Sequence, residues 1–407
     1  MQGRCHNLRG HFPFRAVSSA VEHCFHTAGV TGSIPVPPTN PKEASIPFPS
    51  LAATSSQISD NPEALKVEEF AAFDVLRFIL AATVMLSHLG IVTWPQAGNL
   101  AVQVFFALSG WLIGAILYST KTSELSHFYF NRSTRIWIPY FFTVAALYGS
   151  SLLHESTHSS RLFEFLAYDL TFTHNWFTLE TNASLALSQM PWHGTGNHFW
   201  SLAVEEQFYL VAPLIILFMP FGRKPMTWIV IAIFMYSIRS QYSSIALGVA
   251  SAVVAKSASK SFLSGHGLTV AALILTGGSI AMIVLAPYGF SAPAFAISIV
   301  LLCARPLTRT KITRWLGGVS FPFYLNAWIG TFAFHAVEKY CAIPVAWYSA
   351  PLEFTFGLGA GALSYRLIDS PVMAHRQRLY RTAVGWLLGA IGYCLIIAGL
   401  LYRTYKT

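Results

Sequence analysis

From residue 73 onward the chain alternates long apolar runs with short polar stretches. The runs fall at about 73–93, 100–118, 136–153, 199–219, 227–238, 243–255, 267–286, 291–304, 316–337, 346–365 and 384–402. A helix needs about 20 apolar residues to cross a bilayer. The pattern therefore predicts an all-α, polytopic membrane protein of about eleven transmembrane helices, ten to twelve. Arg239 and Gln241 divide residues 227–238 from 243–255, which read as two tight spans rather than one kinked one. The stretch holding Lys121, His127, Asn131, Arg132 and Arg135 reads as a polar loop ahead of the third span. The longest connection, about 154–197, sets His154, His158, His174, Asn175, His193 and His198 among aromatics. It exceeds an ordinary connector, and a folded extracytoplasmic loop covering a site is expected there.

Residues 1–69 break the pattern. They are rich in Ser, Pro, Thr and Ala and lack the apolar core of a signal peptide. One reading is a disordered cytoplasmic extension. Another is a misassigned start: Gly32-Ser33-Ile34-Pro35 back-translates to the T-arm sequence common in tRNA genes, with translation then beginning near Leu65. On either reading the fold is expected in 70–407.

Composition agrees with the pattern. The chain is 54% hydrophobic and 11% charged, with a mean hydropathy of +0.50; a soluble domain carries about 25% charge. The 26 Lys and Arg against 17 Asp and Glu sit in short loops, which orients a membrane protein and argues against a nucleic-acid stripe. With the amino terminus inside, fifteen basic residues fall in inner segments and five in outer ones. A single span in place of 227–238 and 243–255 would erase that bias, so the charge supports eleven. The five cysteines are scattered and no HExxH pair is present, so neither a disulfide framework nor a metal is expected.

Candidate chemistry begins in the first run, where Asp74 and Arg77 stand near one end and His88 near the other. Eleven residues turn a helix about 20° past three turns and advance it about 16 Å. Arg77 and His88 therefore share a face without touching. Ionisable groups inside a span are costly and usually functional; the bland alternative is an Arg snorkelling to the interface and a His bonded locally. A His in a protein-lined cavity can act as general base toward a hydroxyl attacking an acyl carbonyl. Glu205 or Glu206, at the same outer level by this topology, can fix its tautomer. Arg132 and Arg135, three residues apart, can clamp phosphates on one helical face or simply anchor topology. Ser109 and Gly110 suit close helix packing.

Four signals in order carry a family resemblance: Asp74-x-x-Arg77 with His88 eleven residues on; Val104-Phe105-Phe106-x-Leu108-Ser109-Gly110; Phe128-Tyr129-x-x-Arg132-x-x-Arg135-Ile136-x-x-Pro139; and Trp200-Ser201-Leu202-x-x-Glu205-x-x-Phe208-Tyr209. Over about 70–385 the chain resembles the bacterial acyltransferase-3 membrane family, whose members O-acylate cell-surface sugars, lipid-linked glycans and some secondary metabolites. Two later segments resemble the family less closely. In Ser320-Phe321-Pro322-Phe323-Tyr324-Leu325-Asn326-Ala327, Ala327 stands where many members have His, and Tyr365-Arg366-Leu367-Ile368-Asp369-Ser370-Pro371 has Asp for Glu.

The resemblance implies an O-acetyltransferase of the inner membrane, using acyl-CoA, commonly acetyl-CoA, from the cytoplasm and a carbohydrate or lipid-linked glycan acceptor. It implies catalytic roles for His88 and Arg77, with Glu205 in support, and CoA contacts for Arg132 and Arg135. Asp74, Ser109, Gly110, Trp200, Ser201 and Tyr209 are expected to line the substrate passage. Two rivals stand beside this reading: a transporter using the same buried charges as a pathway, and a non-catalytic family member suggested by Ala327.

Overall fold

A computed structural model describes residues 70–154, 161–177, 187–238, 240–257, 266–285, 288–305, 307–342, 344 and 346–406. The expectations for residues 1–69 lie outside them, as do parts of the 154–197 connection. The described residues are almost wholly helical, with one isolated bridge from Phe70 to Leu307.

The helices follow the apolar runs. They are α1 (Ala71–His88), α2 (Ala97–Ser119), α3 (Leu125–His154), α4 (Leu162–Leu170), α5 (His174–Phe177), α6 (Phe199–Pro213), α7 (Pro225–Ser237), α8 (Tyr242–Ser257), α9 (His266–Leu285), α10 (Tyr288–Cys303), α11 (Lys311–Tyr340), α12 (Ser349–Ser364), α13 (Ser370–Leu379) and α14 (Thr382–Lys406). A 3-10 segment, Pro191–His198, leads into α6, and π-helical turns extend α6 over Leu214–Phe218 and α12 over Tyr365–Asp369. Among the described residues five helical stretches are long and apolar enough to cross a membrane: Ala71–His88, Ala97–Ser119, Thr122–His154, Pro191–Phe218 and Thr382–Tyr405. Shorter apolar helices include Pro225–Ser237 and Tyr242–Ser257, separate as the sequence suggested. Exposed Val230, Ile233 and Phe234 on α7 and Leu273 and Ile274 on α9 turn an apolar surface outward, which suits lipid rather than water. The chain is a multi-pass membrane protein.

One expectation is corrected. The stretch 125–135 is the first three turns of α3, not a loop, so Arg132 and Arg135 ride on a rigid element. Nothing in Leu125 to Arg135 breaks a helix; its polar residues share the turns with Phe128, Tyr129 and Phe130, which are buried. The helix opens from a 3-10 turn in which Glu124 accepts the Lys121 N–H at 2.9 Å.

At the centre lies α2, where Val104, Phe106, Ala107, Leu108, Trp111 and Ile113 are all buried. Helix α8 rests directly on its backbone. A Cβ on Gly110 would overlap the Ile245 carbonyl, and one on Gly248 would overlap the Ala107 carbonyl. Small residues at such crossings let van der Waals contact replace the hydrophobic drive that lipid does not supply. Gln103 adds polar bonds across the same seam to Ser244 and Gln241.

Candidate active site

The N-terminal end of α1 is tied to the segment just ahead of α11, far along the chain. Arg309 meets the Asp74 carboxylate in two places, Nε to Oδ2 at 2.6 Å and Nη2 to Oδ1 at 3.0 Å. Arg77, one turn along α1, adds a contact to Oδ1 at 3.2 Å. Gly317 makes this possible, since a Cβ there would press on the Asp74 carboxylate. Asp74 is buried and ion-paired with both Arg309 and Arg77, which holds Arg77 in position. Arg309 carried no motif in the sequence.

Arg77 shares its electrostatic surroundings with Arg132, Arg135 and Tyr209. The guanidinium of Arg132 lies 5.8 Å from the Tyr209 ring centroid and 5.9 Å from that of Phe128, a cation–π arrangement that fixes its plane. Tyr209 donates its hydroxyl proton to Glu205 at 2.8 Å. Ser109 is 2.5 Å from the same phenol oxygen; because Tyr209 has only one proton, Ser109 is the donor there. Glu205 in turn lies in the field of Arg77 and Arg132. Outside the apolar slab, on α13, burial and the neighbouring charge of Arg135 lower the Arg376 guanidinium from its usual range. Positive charge thus gathers around Arg77, Arg132 and Arg135, which is what binding a phosphate-bearing ligand requires.

The adjacent acid Glu206 faces another way. It is buried, and Trp137 Nε1 donates to its Oε2 at 2.9 Å. The two neighbouring carboxylates therefore serve different surroundings, Glu205 the arginines and Glu206 the indole.

Eleven residues past Arg77, His88 closes the last turn of α1. Its side chain is exposed. The imidazole of His198 lies within its electrostatic reach. Around His198, Ser201 Oγ donates to the His198 carbonyl at 3.0 Å and sits 2.7 Å from the Tyr324 hydroxyl. Tyr324 stacks edge-on against the His198 ring at 5.5 Å and also feels Glu205. It therefore links the arginine end to the imidazole end. Ala327 is buried with Met85 and Ala81 of α1.

The structure thus joins Asp74, Arg77, Ser109, Arg132, Arg135, Glu205 and Tyr209 in one cluster, and places Ser201 with Tyr324 and His198 near His88. Gly110 faces α8 and serves packing, and Trp200 packs edge-on against Phe106 at 5.8 Å. Beside the arginines, a cavity of about 540 Å³ opens among Phe128, Asn131, Arg132, His127, Glu124 and Tyr380. Arg309 had no clear signal of its own, whereas Tyr324 stood in the weaker family-like segment and His198 was visible as one of several histidines before α6.

The acyltransferase domain model of the acyltransferase-3 family matches residues 70–363. The chain is similar to O-acetyltransferase OatA of Staphylococcus aureus strain NCTC 8325 / PS 47, with 28% identity over 160 residues covering 37% of this chain and 25% of the relative. OatA of strain COL matches with the same figures. The chain thus aligns with about a quarter of the length of these curated relatives. No solved structure matches. With the family model covering most of the helical region, this chain belongs to the acyltransferase-3 family.

Proposed function

We propose that the protein is an O-acyltransferase that moves an acyl group, acetyl in the simplest case, from acyl-CoA to a hydroxyl of a cell-surface carbohydrate, lipid-linked glycan or secondary metabolite. The observation that carries this reading is α1, an unbroken helix from Ala71 to His88 that sets Arg77 among arginines and His88 beside a second imidazole about 16 Å away. A long donor with phosphates at one end and a thioester at the other suits that separation.

In this reading Arg132 and Arg135 grip the CoA phosphates from the inner side, and Arg77 lines the donor path. His88 takes the proton as the acceptor oxygen bonds the acyl carbon; the carbon–sulfur bond breaks and the proton passes to the departing thiolate. Glu205, originally expected beside His88, contributes from the arginine end through Tyr209, balancing charge where the donor lies. In the same reading, an eleven-span topology with the start of α1 inside and the connection before α6 outside sets donor and acceptor on opposite faces of the inner membrane. The basic-residue asymmetry supports that orientation.

The test uses membrane vesicles from a deletion strain complemented with wild type or His88→Ala, supplied with acetyl-CoA labelled in the acetyl group. Wild-type vesicles are expected to form covalently labelled product, and His88→Ala vesicles none at equal protein level. Normal labelling by the variant overturns the assignment. Movement of unmodified solute without label transfer would establish the transporter instead.

A further inference from the structure

Helices α1, α3 and α11 can be set side by side by their contacts. Asp74 of α1 lies against Gly317 of α11, and Met85 against Ala327, so the two helices run in the same direction. Past the middle of α3, Thr143 donates to the Asn326 side chain on α11 at 2.9 Å, which brings α3 to the level of Met85, three residues short of His88. Arg132 stands eleven residues earlier on α3, about 16 Å back along its axis. Behind Arg132 again, toward Glu124, runs the wall of the cavity of about 540 Å³. The cavity therefore lies on the side of Arg132 away from His88.

Three parts of the chain form it: the end of α2 at Ile116 and Thr120, the first turns of α3, and Tyr380 between α13 and α14. Its volume falls in the range of small-molecule sites, about 300–1,000 Å³. Aromatic rings make one wall. His127 meets the Tyr380 ring edge-on at 4.7 Å, and Phe130 meets its other neighbourhood at 5.3 Å. The Tyr380 hydroxyl is 2.9 Å from Ser126 Oγ. Gln377 on α13 accepts from His127 Nε2 at 3.3 Å and donates to Asn131 at 3.0 Å. These bonds fix the rings before any ligand arrives. Arg132 supplies a cation at the end nearer His88, and Glu124 a carboxylate at the other. Glu124 already accepts the Lys121 N–H, but a carboxylate has room for further donors. A carboxylate repels phosphate and welcomes an amine, while aromatic faces hold a base by stacking. The cavity thus suits an aminopurine nucleoside better than a second phosphate.

We propose that this cavity holds the adenosine end of the donor, the base stacked on Tyr380 and its exocyclic amine donating to Glu124. The inference rests on the reading of acyl-CoA as donor. Acyl-CoA has a fixed linear order: thioester, pantetheine arm, diphosphate, nucleoside. The protein presents its stations in the same order, with His88 first, Arg132 about 16 Å back, and the aromatic cavity beyond. With the diphosphate at Arg132 and the arm directed toward His88, the nucleoside has to leave on the opposite side, where the cavity opens. A site of this kind selects donors that carry the nucleotide over acyl groups borne on phosphopantetheine alone.

The test compares two probes, CoA and 4′-phosphopantetheine, which lacks the adenylate. Their Kd values are measured by titration calorimetry on the detergent-solubilised full chain, using variants that keep the wild-type Tm. Tyr380→Ala removes the stacking face, and Tyr380→Phe keeps it. Ile116→Trp fills the cavity from a rim position that is 39% exposed and deletes no ring from the wall. Wild type is expected to bind CoA at least tenfold more tightly than 4′-phosphopantetheine. Tyr380→Ala and Ile116→Trp are each expected to weaken CoA about tenfold with 4′-phosphopantetheine within about twofold, and Tyr380→Phe to match wild type. Equal wild-type affinity for the two probes would overturn the proposal. So would an unchanged CoA Kd in both cavity variants, or equal losses for both probes. If wild-type vesicles transfer no label from acetyl-CoA while the binding pattern holds, the acyltransferase reading fails and the nucleoside site stands. If label is transferred and the cavity variants bind CoA normally, this inference alone fails.

Discussion

Tyr209 and Glu205 stand one helical turn apart on α6, the phenol donating to the carboxylate at 2.8 Å while Arg132 lies over the same ring. One side chain thus connects an acid, a cation and, through Ser109, the central helix α2. Replacing Tyr209 by Phe keeps the ring and removes the shared hydroxyl. Ser109 and Glu205 then lose a common partner in a buried setting, at a cost of about 1–3 kcal/mol. Thermal unfolding of the detergent-solubilised protein is expected to show this as a lowered Tm, with Ser109→Ala giving a smaller decrease. A Tyr209→Phe protein with the wild-type Tm would mean that the hydroxyl is solvated rather than structural.

Arg132 should not tolerate lysine. A guanidinium can face an aromatic ring with its plane and bind phosphate with paired N–H groups, whereas an ammonium is a point charge. Arg132→Lys is expected to raise KM for acetyl-CoA about tenfold, equivalent to about 1.4 kcal/mol, with kcat changed much less. Equal KM values for the two proteins would place the donor phosphates elsewhere.

At the α2–α8 crossing, Gly110→Val and Gly248→Val insert side chains where backbone oxygen already lies. The helices must separate or the chain must shift, costing about 3 kcal/mol. Both variants are expected to accumulate poorly in membranes, as measured by quantitative immunoblotting. Gly359→Val, where the position is open, is expected to accumulate normally and serves as the control.

The Arg309–Asp74 pair predicts an effect at a distance. Arg309→Ala leaves Asp74 with Arg77 as its remaining cation among the contacts seen here, drawing Arg77 toward the carboxylate. Because Arg309 is partly exposed, the stability loss is expected to be about 1–2 kcal/mol, below that of a fully buried pair. A double-mutant cycle with Asp74→Asn is expected to give a coupling energy of about 1 kcal/mol. Strict additivity of the two changes would deny the pair any energetic role.

Much of the helix arrangement was legible because lipid imposes long apolar runs, and α1, α2, α6, α7 and α8 lie where those runs fall. The start of α3 was not, because Arg132 and Arg135 lower the local hydropathy without disturbing helical geometry. The Arg132-x-x-Arg135 spacing still announced a shared face. The paired acids stood in the sequence as alternatives beside His88; that Glu206 finds Trp137 depends on how α3 and α6 cross, which leaves Glu205 to Tyr209 one turn along. Gly110 sat inside a motif and looked like part of the passage, yet its neighbour is the backbone of a helix 135 positions later. Contacts between residues so far apart leave no periodic trace.

The Asp74–Arg309 bridge also carries a lesson about biogenesis. Synthesis proceeds from the amino end, so α1 enters the membrane while the segment bearing Arg309 has yet to be made, 235 residues downstream. Until then Asp74 has only Arg77 from its own helix among these two partners. The charges around Arg77 therefore reach their final alignment late, and a ribosome stalled before residue 309 leaves behind a nascent fragment in which Asp74 lacks its second guanidinium.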